Sequence, residues 1–108
     1  MIAELPVGPD FAAALRGPNL RVVAELKRSS PSKGVLDASL DAGARTALYV
    51  EGGATALSIL TEPSRFGGSL SDLREARRAV QVPLLRKDFI TDVVQLLEAR
   101  AYLSLIHI

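Results

Sequence analysis

Residues 22–34 read VVAELKRSSPSKG, an apolar run that ends in charged side chains and then enters a loop rich in Ser, Pro and Gly. In a β-strand alternate side chains share a face, so Glu25 and Lys27 share one face and the intervening apolar residues share the other. Charged side chains at the C-terminal end of a parallel strand are typical of the active-site edge of a (β/α) barrel. A surface strand with a solvated ion pair fits the same residues.

The rest of the chain repeats one unit, which favours the first interpretation. Strand-like apolar runs recur at about the spacing of a βαβ step, at residues 21–27, 56–61 and 84–87. Helical patterns surround them, at residues 10–16, 40–51, 69–81 and from 92 onward. One helix followed by three βα units predicts an α/β fold whose parallel strands are joined by right-handed crossovers.

Capping residues delimit the predicted helices. The helix over residues 40–51 has Leu40, Ala44, Ala47 and Leu48 at helical spacing and ends at a pair of glycines. Ser69 and Asp72 form a variant of the capping box. Asp92 caps the last helix, which is expected to bury one stripe comprising Val93, Leu96, Leu97 and the stem of Arg100.

Polar loops follow all three predicted strands, at residues 28–37, 61–68 and 88–91. This asymmetry marks the carboxyl edge of the sheet as the working face. Because Leu85 and Lys87 share a face, Lys87 can enter the same cavity as Glu25 and Lys27. Two ammonium groups favour an anionic substrate carrying carboxylate or phosphate, and either could serve as a general acid. Alternatively, Lys87 and Asp88 simply pair at the strand end.

Three ordered segments resemble successive signatures of the indole-3-glycerol phosphate synthase family. They are residues 24–34 (AELKRSSPSKG), residues 57–63 (LSILTEP) with residues 66–69 (FGGS), and residues 84–90 (LLRKDFI). The resemblance covers residues 10 to about 101. It implies a partial TIM (β/α)8 barrel, about three βα units preceded by a short N-terminal helix. It also implies a lyase of tryptophan biosynthesis that converts 1-(2-carboxyphenylamino)-1-deoxyribulose 5-phosphate to indole-3-glycerol phosphate, carbon dioxide and water.

The resemblance also assigns roles to residues of this chain. Lys87 is the leading candidate for the general acid that protonates the ketone oxygen. Lys27 is expected to hold the substrate carboxylate, with an alternative acid role open to it. Glu25 is expected to hydrogen-bond the substrate and to orient Lys27 or Lys87. Ser30 is expected to contact substrate. Phe66 and Phe89 either form the wall of the pocket for the anthranilate ring or pack in the core. The resemblance implies no metal and no organic cofactor.

Composition excludes several other classes of protein. The chain has no cysteine, a formal net charge of +1 and 48% hydrophobic residues. Disulfide scaffolds and nucleic-acid arms are therefore unsupported, and the basic residues 74–78 are interpreted as a solvated helix face. Neither a membrane span nor a signal peptide is indicated, so we predict a cytoplasmic protein. The full-length form is expected to be monomeric or fused to another pathway enzyme.

The chain is shorter than a complete barrel. A complete (β/α)8 barrel takes about 250 residues, and this chain has 108, so we predict that residues 1–101 are the N-terminal portion of a barrel and are inactive alone. Residues 102–108 (YLSLIHI) are either a displaced fourth strand or a non-family tail, and the favoured interpretation is a translated sequencing adapter. His107 is accordingly given no catalytic role.

The same residues are compatible with two alternative functions. Another phosphate-handling barrel, such as phosphoribosylanthranilate isomerase, would keep the fold and change the chemistry. A non-enzymatic α/β module would instead bind a partner, or a second copy of itself, through an exposed sheet edge.

Overall fold

A computed structural model describes residues 9–37, 39–102 and 104–107 of the chain. Its helices are α1 (Phe11–Ala14), α2 (Ala42–Glu51), α3 (Pro63–Phe66), α4 (Leu70–Ala79) and α5 (Val93–Ala101). Its strands are β1 (Val23–Leu26), β2 (Ser29–Ser30), β3 (Gly34–Val35), β4 (Ala56–Leu60), β5 (Leu84–Lys87) and β6 (Ser104–His107). None of the helices in the described part of the chain has the length and hydrophobicity of a membrane-spanning segment.

The main sheet confirms the predicted α/β class. It is parallel throughout, in the order β1-β4-β5-β6, and helices connect its successive strands. Glu25 of β1 pairs in register with Ser58 of β4, which pairs with Leu85 of β5. Laterally paired residues of a parallel sheet point to the same side. The register therefore places Glu25, Ser58 and Lys87 on one side of the sheet.

The hydrophobic core lies on the opposite side of the sheet, under α2 and α4. Asp41, Ser69 and Asp92 cap α2, α4 and α5, each by accepting a hydrogen bond from a backbone N–H. The caps at Ser69 and Asp92 were predicted, whereas α2 begins two residues later than predicted. The α2 and α4 helices also pack on each other. The core comprises Leu26, Leu40, Ala42, Leu57, Ile59, Leu73, Ala76, Val80 and Leu84.

Two helices bury different residues from those that their apolar spacing suggests. In α2 the buried residues are Ala42 and Thr46, and Leu48 is 61% exposed. In α5 the buried residue is Ala99, and the expected burial of Val93 is wrong, since its side chain is 68% exposed. Val93 and Ala99 are six positions apart, which places them about 120° apart around the helix. When Ala99 faces the sheet, Val93 therefore points away from it.

The loops at the carboxyl edge contain short elements that the sequence did not indicate. The loop after β1 forms a small antiparallel hairpin from β2 and β3. The loop after β4 contains the single turn of α3, whose N-cap is Glu62. Both elements lie at the edge where the candidate functional residues were predicted.

Residues 104–107 form strand β6, parallel to β5, with Lys87 opposite His107 in the register. A displaced fourth strand was one of the two interpretations of this segment. The favoured interpretation concerned the origin of residues 102–108, which a backbone position does not address, so it stays a prediction.

Candidate active site

A carboxylate between two ammonium groups lies at the carboxyl edge of the sheet. Glu25 Oε1 accepts a hydrogen bond from Lys87 Nζ at 3.1 Å, and Glu25 Oε2 lies 3.4 Å from Lys27 Nζ. Ser58 Oγ donates to Glu25 Oε1 at 3.3 Å. The strand register produces this cluster, because β4 places Ser58 between the strands that carry Glu25 and Lys87. The structure thus brings together the three charged residues that the sequence singled out.

The electrostatics of the cluster favour the ionised form of the Glu25 carboxyl group. Partial burial of the Glu25 carboxyl raises its pKa, but the hydrogen bond and charge of Lys87 and the charge of Lys27 outweigh this, so the pKa lies below its ordinary value. The three side chains remain 29–41% exposed. Two positive charges and one negative charge leave a net positive charge, which suits an anionic ligand.

The alternative pairing of Lys87 with Asp88 is not the one that forms. Asp88 Oδ2 accepts a hydrogen bond from Thr61 Oγ1 at 2.7 Å and lies 3.4 Å from Arg86 NH2. Alternation along the strand explains the choice, because Lys87 and its two neighbours in sequence point to opposite sides of the sheet. Lys87 is thereby left to pair with Glu25.

Ser30 lies in the hairpin after β1 and is 8% exposed. Its Oγ accepts a hydrogen bond from the backbone N–H of Lys33 at 3.1 Å. This contact closes the turn that carries the loop. The predicted contact between Ser30 and substrate stays a prediction.

The two candidate aromatic residues lie on neighbouring loops at the same edge. Phe66 is partly buried at the end of α3, and Phe89 is 53% exposed just after β5. The Arg65 guanidinium lies 5.6 Å from the centre of the Phe89 ring, within cation–π distance. Arg65 therefore links the loop of Phe66 to Phe89. The role of the two rings as a pocket wall stays a prediction.

Glu62 organises the loop that carries Phe66. Its carboxylate accepts hydrogen bonds from the backbone N–H groups of Ser64, Arg65 and Phe66 and from the Ser64 hydroxyl. The hydroxyl contact, more than any other, holds the pKa of Glu62 below its ordinary value. Gly68 then returns the chain to the strand end, where its N–H donates to the Glu62 carbonyl at 3.0 Å.

Sequence reasoning missed three residues near this edge. Ser58 is a polar residue within an otherwise apolar strand, and its alternation with Leu57 and Ile59 was a usable signal that it faces the Glu25 side. Thr61 directly follows β4, and Arg86 directly precedes Lys87. The hydrogen bond between Thr61 and Arg86 depends on how β4 and β5 pair. No spacing along the chain indicates that contact.

Comparison with known proteins places the chain in a family. Residues 7–105 match the family model described as "Indole-3-glycerol phosphate synthase". The chain belongs to the indole-3-glycerol phosphate synthase family. A synthase of Streptomyces griseus is 55% identical over 100 residues, which cover 93% of this chain and 37% of that protein. A synthase of a Parafrankia species is 50% identical over 101 residues, which cover 94% of this chain and 38% of that protein.

The family match bears on the fold and on the boundaries. Because the synthase family has the TIM-barrel fold, the parallel sheet and its connecting helices form part of such a barrel. The chain spans about 37% of the length of its curated relatives. The match ends at residue 105, inside the 102–108 segment. The family match favours the synthase over phosphoribosylanthranilate isomerase, the alternative barrel enzyme.

Proposed function

We propose that this chain supplies the strand-one and strand-three residues of an indole-3-glycerol phosphate synthase active site in a cytoplasmic pathway of tryptophan biosynthesis. The substrate would be 1-(2-carboxyphenylamino)-1-deoxyribulose 5-phosphate. The observation that supports this most directly is the contact of Glu25 with both Lys27 and Lys87, within a segment that matches the family throughout.

Ring closure is the step that needs an acid. The ring carbon that bears the carboxylate attacks the ketone carbon of the sugar chain, and the C=O electron pair moves to oxygen. Lys87 would donate a proton to that oxygen. Its hydrogen bond to Glu25 holds the ammonium group on the open side of the sheet, where a substrate would bind. Loss of carbon dioxide then returns electrons to the ring, and loss of the new hydroxyl group together with a proton from the adjacent CH2 group, as water, completes the indole.

Lys27 would bind the substrate carboxylate until it leaves as carbon dioxide. Glu25 already neutralises part of the charge of the two lysines, so one positive charge remains for that carboxylate. Glu25 would orient both ammonium groups, since its two oxygens contact different lysines. Ser30 would contact substrate from the hairpin loop, and Phe66 and Phe89 would enclose the aromatic ring.

A chimera tests this function. Residues 7–105 would replace the matching segment of the Streptomyces griseus synthase, which supplies the remainder of a full-length chain. We expect the chimera to form indole product, followed by indole fluorescence, with loss of activity when Glu25 is changed to Gln. The matched control is Glu75→Gln, which removes a carboxylate that is 46% exposed on α4.

The outcome against the proposal is a chimera that folds, by circular dichroism, and forms no product, or one whose turnover is unchanged by Glu25→Gln. The 108-residue chain alone is expected to form no product above background, because it spans little more than a third of the relatives' length. Turnover by the chain alone would refute that expectation.

A further inference from the structure

Arg86 is a nearly buried cation that the proposed chemistry does not use. Its side chain is 5% exposed and lies on the helix side of β5, whereas its neighbour Lys87 points to the opposite side. Its Nε donates to Thr61 Oγ1 at 3.1 Å, and its NH1 donates to the carbonyl of Gln95 in α5 at 2.9 Å. A buried guanidinium that is held this closely costs desolvation free energy, so its contacts need an explanation.

The contacts of Arg86 join the C-terminal ends of two strands. Thr61 directly follows β4, and its hydroxyl accepts from Arg86 and donates to Asp88 Oδ2 at 2.7 Å. Asp88 directly follows Lys87, and its Oδ2 also lies 3.4 Å from Arg86 NH2. The backbone N–H of Thr61 donates to the carbonyl of Lys87 itself at 3.0 Å. The two sequence neighbours of Lys87, Arg86 and Asp88, are therefore both held by side-chain contacts, and the Lys87 carbonyl itself accepts a hydrogen bond.

We infer that Arg86, acting with Thr61 and Asp88 behind the sheet, is a positioning residue that holds the Lys87 ammonium against Glu25. Its part in turnover rests on the proposed function, but its part in the geometry of Lys87 does not. A lysine ammonium sits on a flexible stem, so the backbone beneath it determines where it can reach. Misplacement of such a group by about 1 Å can cost on the order of 100-fold in rate.

Arg86→Lys is the sharpest variant, because it keeps the positive charge and loses the planar fork. A lysine ammonium has three N–H donors on one nitrogen, so it cannot span the separated partners of the guanidinium, which are Thr61, Asp88, the Gln95 carbonyl and Glu98. Arg77→Lys is the matched control. Arg77 is partly buried and, like Arg86, donates to backbone carbonyls, but its partners Val80 and Val82 lie before β5 at the other edge of the sheet.

The first readout is the pKa of Glu25, measured by carbon-13 NMR in the 108-residue chain labelled at glutamate and assigned with Glu25→Gln. The groups that face Glu25 in the described structure are Lys27, Ser58 and Lys87. We expect Arg86→Lys to move this pKa upward, toward its ordinary value, because Lys87 then spends less time against the carboxylate. A shift no larger than that caused by Arg77→Lys overturns the inference.

Thr61 provides a second pair of variants should Arg86→Lys fail to fold. Thr61→Val removes the hydroxyl that joins Arg86 to Asp88 and keeps the side-chain shape. Thr61→Ser keeps the hydroxyl. We expect the pKa of Glu25 to rise in Thr61→Val and to stay near that of the unchanged chain in Thr61→Ser. Equal values in the two variants would overturn the inference, because the shared hydroxyl would then have no effect on Lys87.

Kinetics of the chimera provide the functional readout. We expect Arg86→Lys to lower kcat about 10- to 100-fold with little change in KM, since an acid held out of place affects the transition state more than substrate binding. Arg77→Lys is expected to leave both constants within about twofold. If the unsubstituted chimera is inactive, the proposed function fails and the NMR comparison still decides the inference. If the chimera is active and the two arginine variants behave alike, the inference alone fails.

Discussion

Ion pairs on the two sides of the sheet use the same chemistry and differ in burial. On the open side, Glu25 contacts Lys27 and Lys87, and the side chains are 29–41% exposed. On the helix side, Arg28 forms a bidentate pair with Asp72 of α4, with side chains that are 17% and 9% exposed. Lys27 and Arg28 are adjacent in the chain, directly after β1, and continued alternation of side chains places them on opposite sides of the sheet.

The difference in burial predicts different roles for the ion pairs on the two sides of the sheet. A buried bidentate arginine–carboxylate pair has a fixed geometry, and removal of one partner leaves an unpaired charge, so such pairs resist change. An exposed pair contributes little to stability and can exchange its partner for a ligand. We therefore expect the open side to determine activity and the helix side to determine stability, and four substitutions test that division.

The largest expected effect is on turnover. In the chimera, Lys87→Ala should lower kcat about 100- to 10,000-fold, the usual contribution of a positioned general acid, with a much smaller effect on KM. Stability should change by less than about 1 kcal/mol because the Lys87–Glu25 pair is exposed. Steady-state kinetics and urea unfolding measure the two quantities, and Arg78→Ala, a 70% exposed cation on α4, is the control. Unchanged turnover would remove Lys87 from the acid role.

The next effect is on stability and comes from the helix side. Asp72→Asn should reduce the free energy of unfolding by about 2–3 kcal/mol, since the Arg28 guanidinium loses a charged, bidentate partner. Urea unfolding of the 108-residue chain, followed by circular dichroism, measures the change. Glu75→Gln is the control and should change stability by less than about 0.5 kcal/mol. Equal losses of unfolding free energy in the two variants would contradict the expectation that the helix-side ion pair determines stability.

A third substitution tests the strand end that both sides share. A Cβ on Gly68 would lie 2.0 Å from the backbone oxygen of Leu60, so Gly68→Ala must displace the loop after β4. We expect a loss of about 1–3 kcal/mol from this overpacking. Gly43→Ala in α2 is the control, because its nearest neighbours are 3.5–3.8 Å from the new Cβ. That variant should be neutral or more stable by up to about 1 kcal/mol. If Gly68→Ala leaves the free energy of unfolding unchanged in urea, then the loop after β4 has room for the new Cβ atom.

The sequence indicated the fold and the three charged site residues because both follow from strand alternation and βα repetition. It did not indicate Ser58 as a partner of Glu25 or Thr61 as a partner of Arg86, because those contacts depend on strand register, which no local pattern specifies. Likewise, apolar spacing predicted α5 but not which of its faces packs against the sheet, since Ala99 is buried and Val93 is exposed. The single turn of α3 arises from Glu62, whose carboxylate caps a segment too short for helical periodicity to detect.

The smallest expected effect concerns the pH dependence of stability. The pKa of Glu25 is lower in the folded chain than its ordinary value of about 4.3, so the unfolded chain binds the proton more readily. The resulting stabilisation is present above the unfolded pKa and is lost as the pH falls through the folded pKa. Urea unfolding between about pH 6 and pH 3 should therefore show a shallower decline in Glu25→Gln than in the unchanged chain.

The magnitude of that change is what distinguishes the two sides. Because the Glu25 pairs are exposed, Glu25→Gln should cost less than about 1 kcal/mol at pH 7, well below the cost of Asp72→Asn. Glu75→Gln should leave the slope unchanged. If Glu25→Gln costs as much as Asp72→Asn, then the open side carries structural pairs as strong as those behind the sheet. Lys27 and Lys87 would then be held in structural ion pairs with Glu25, and their positive charge would not be free to bind an anionic ligand.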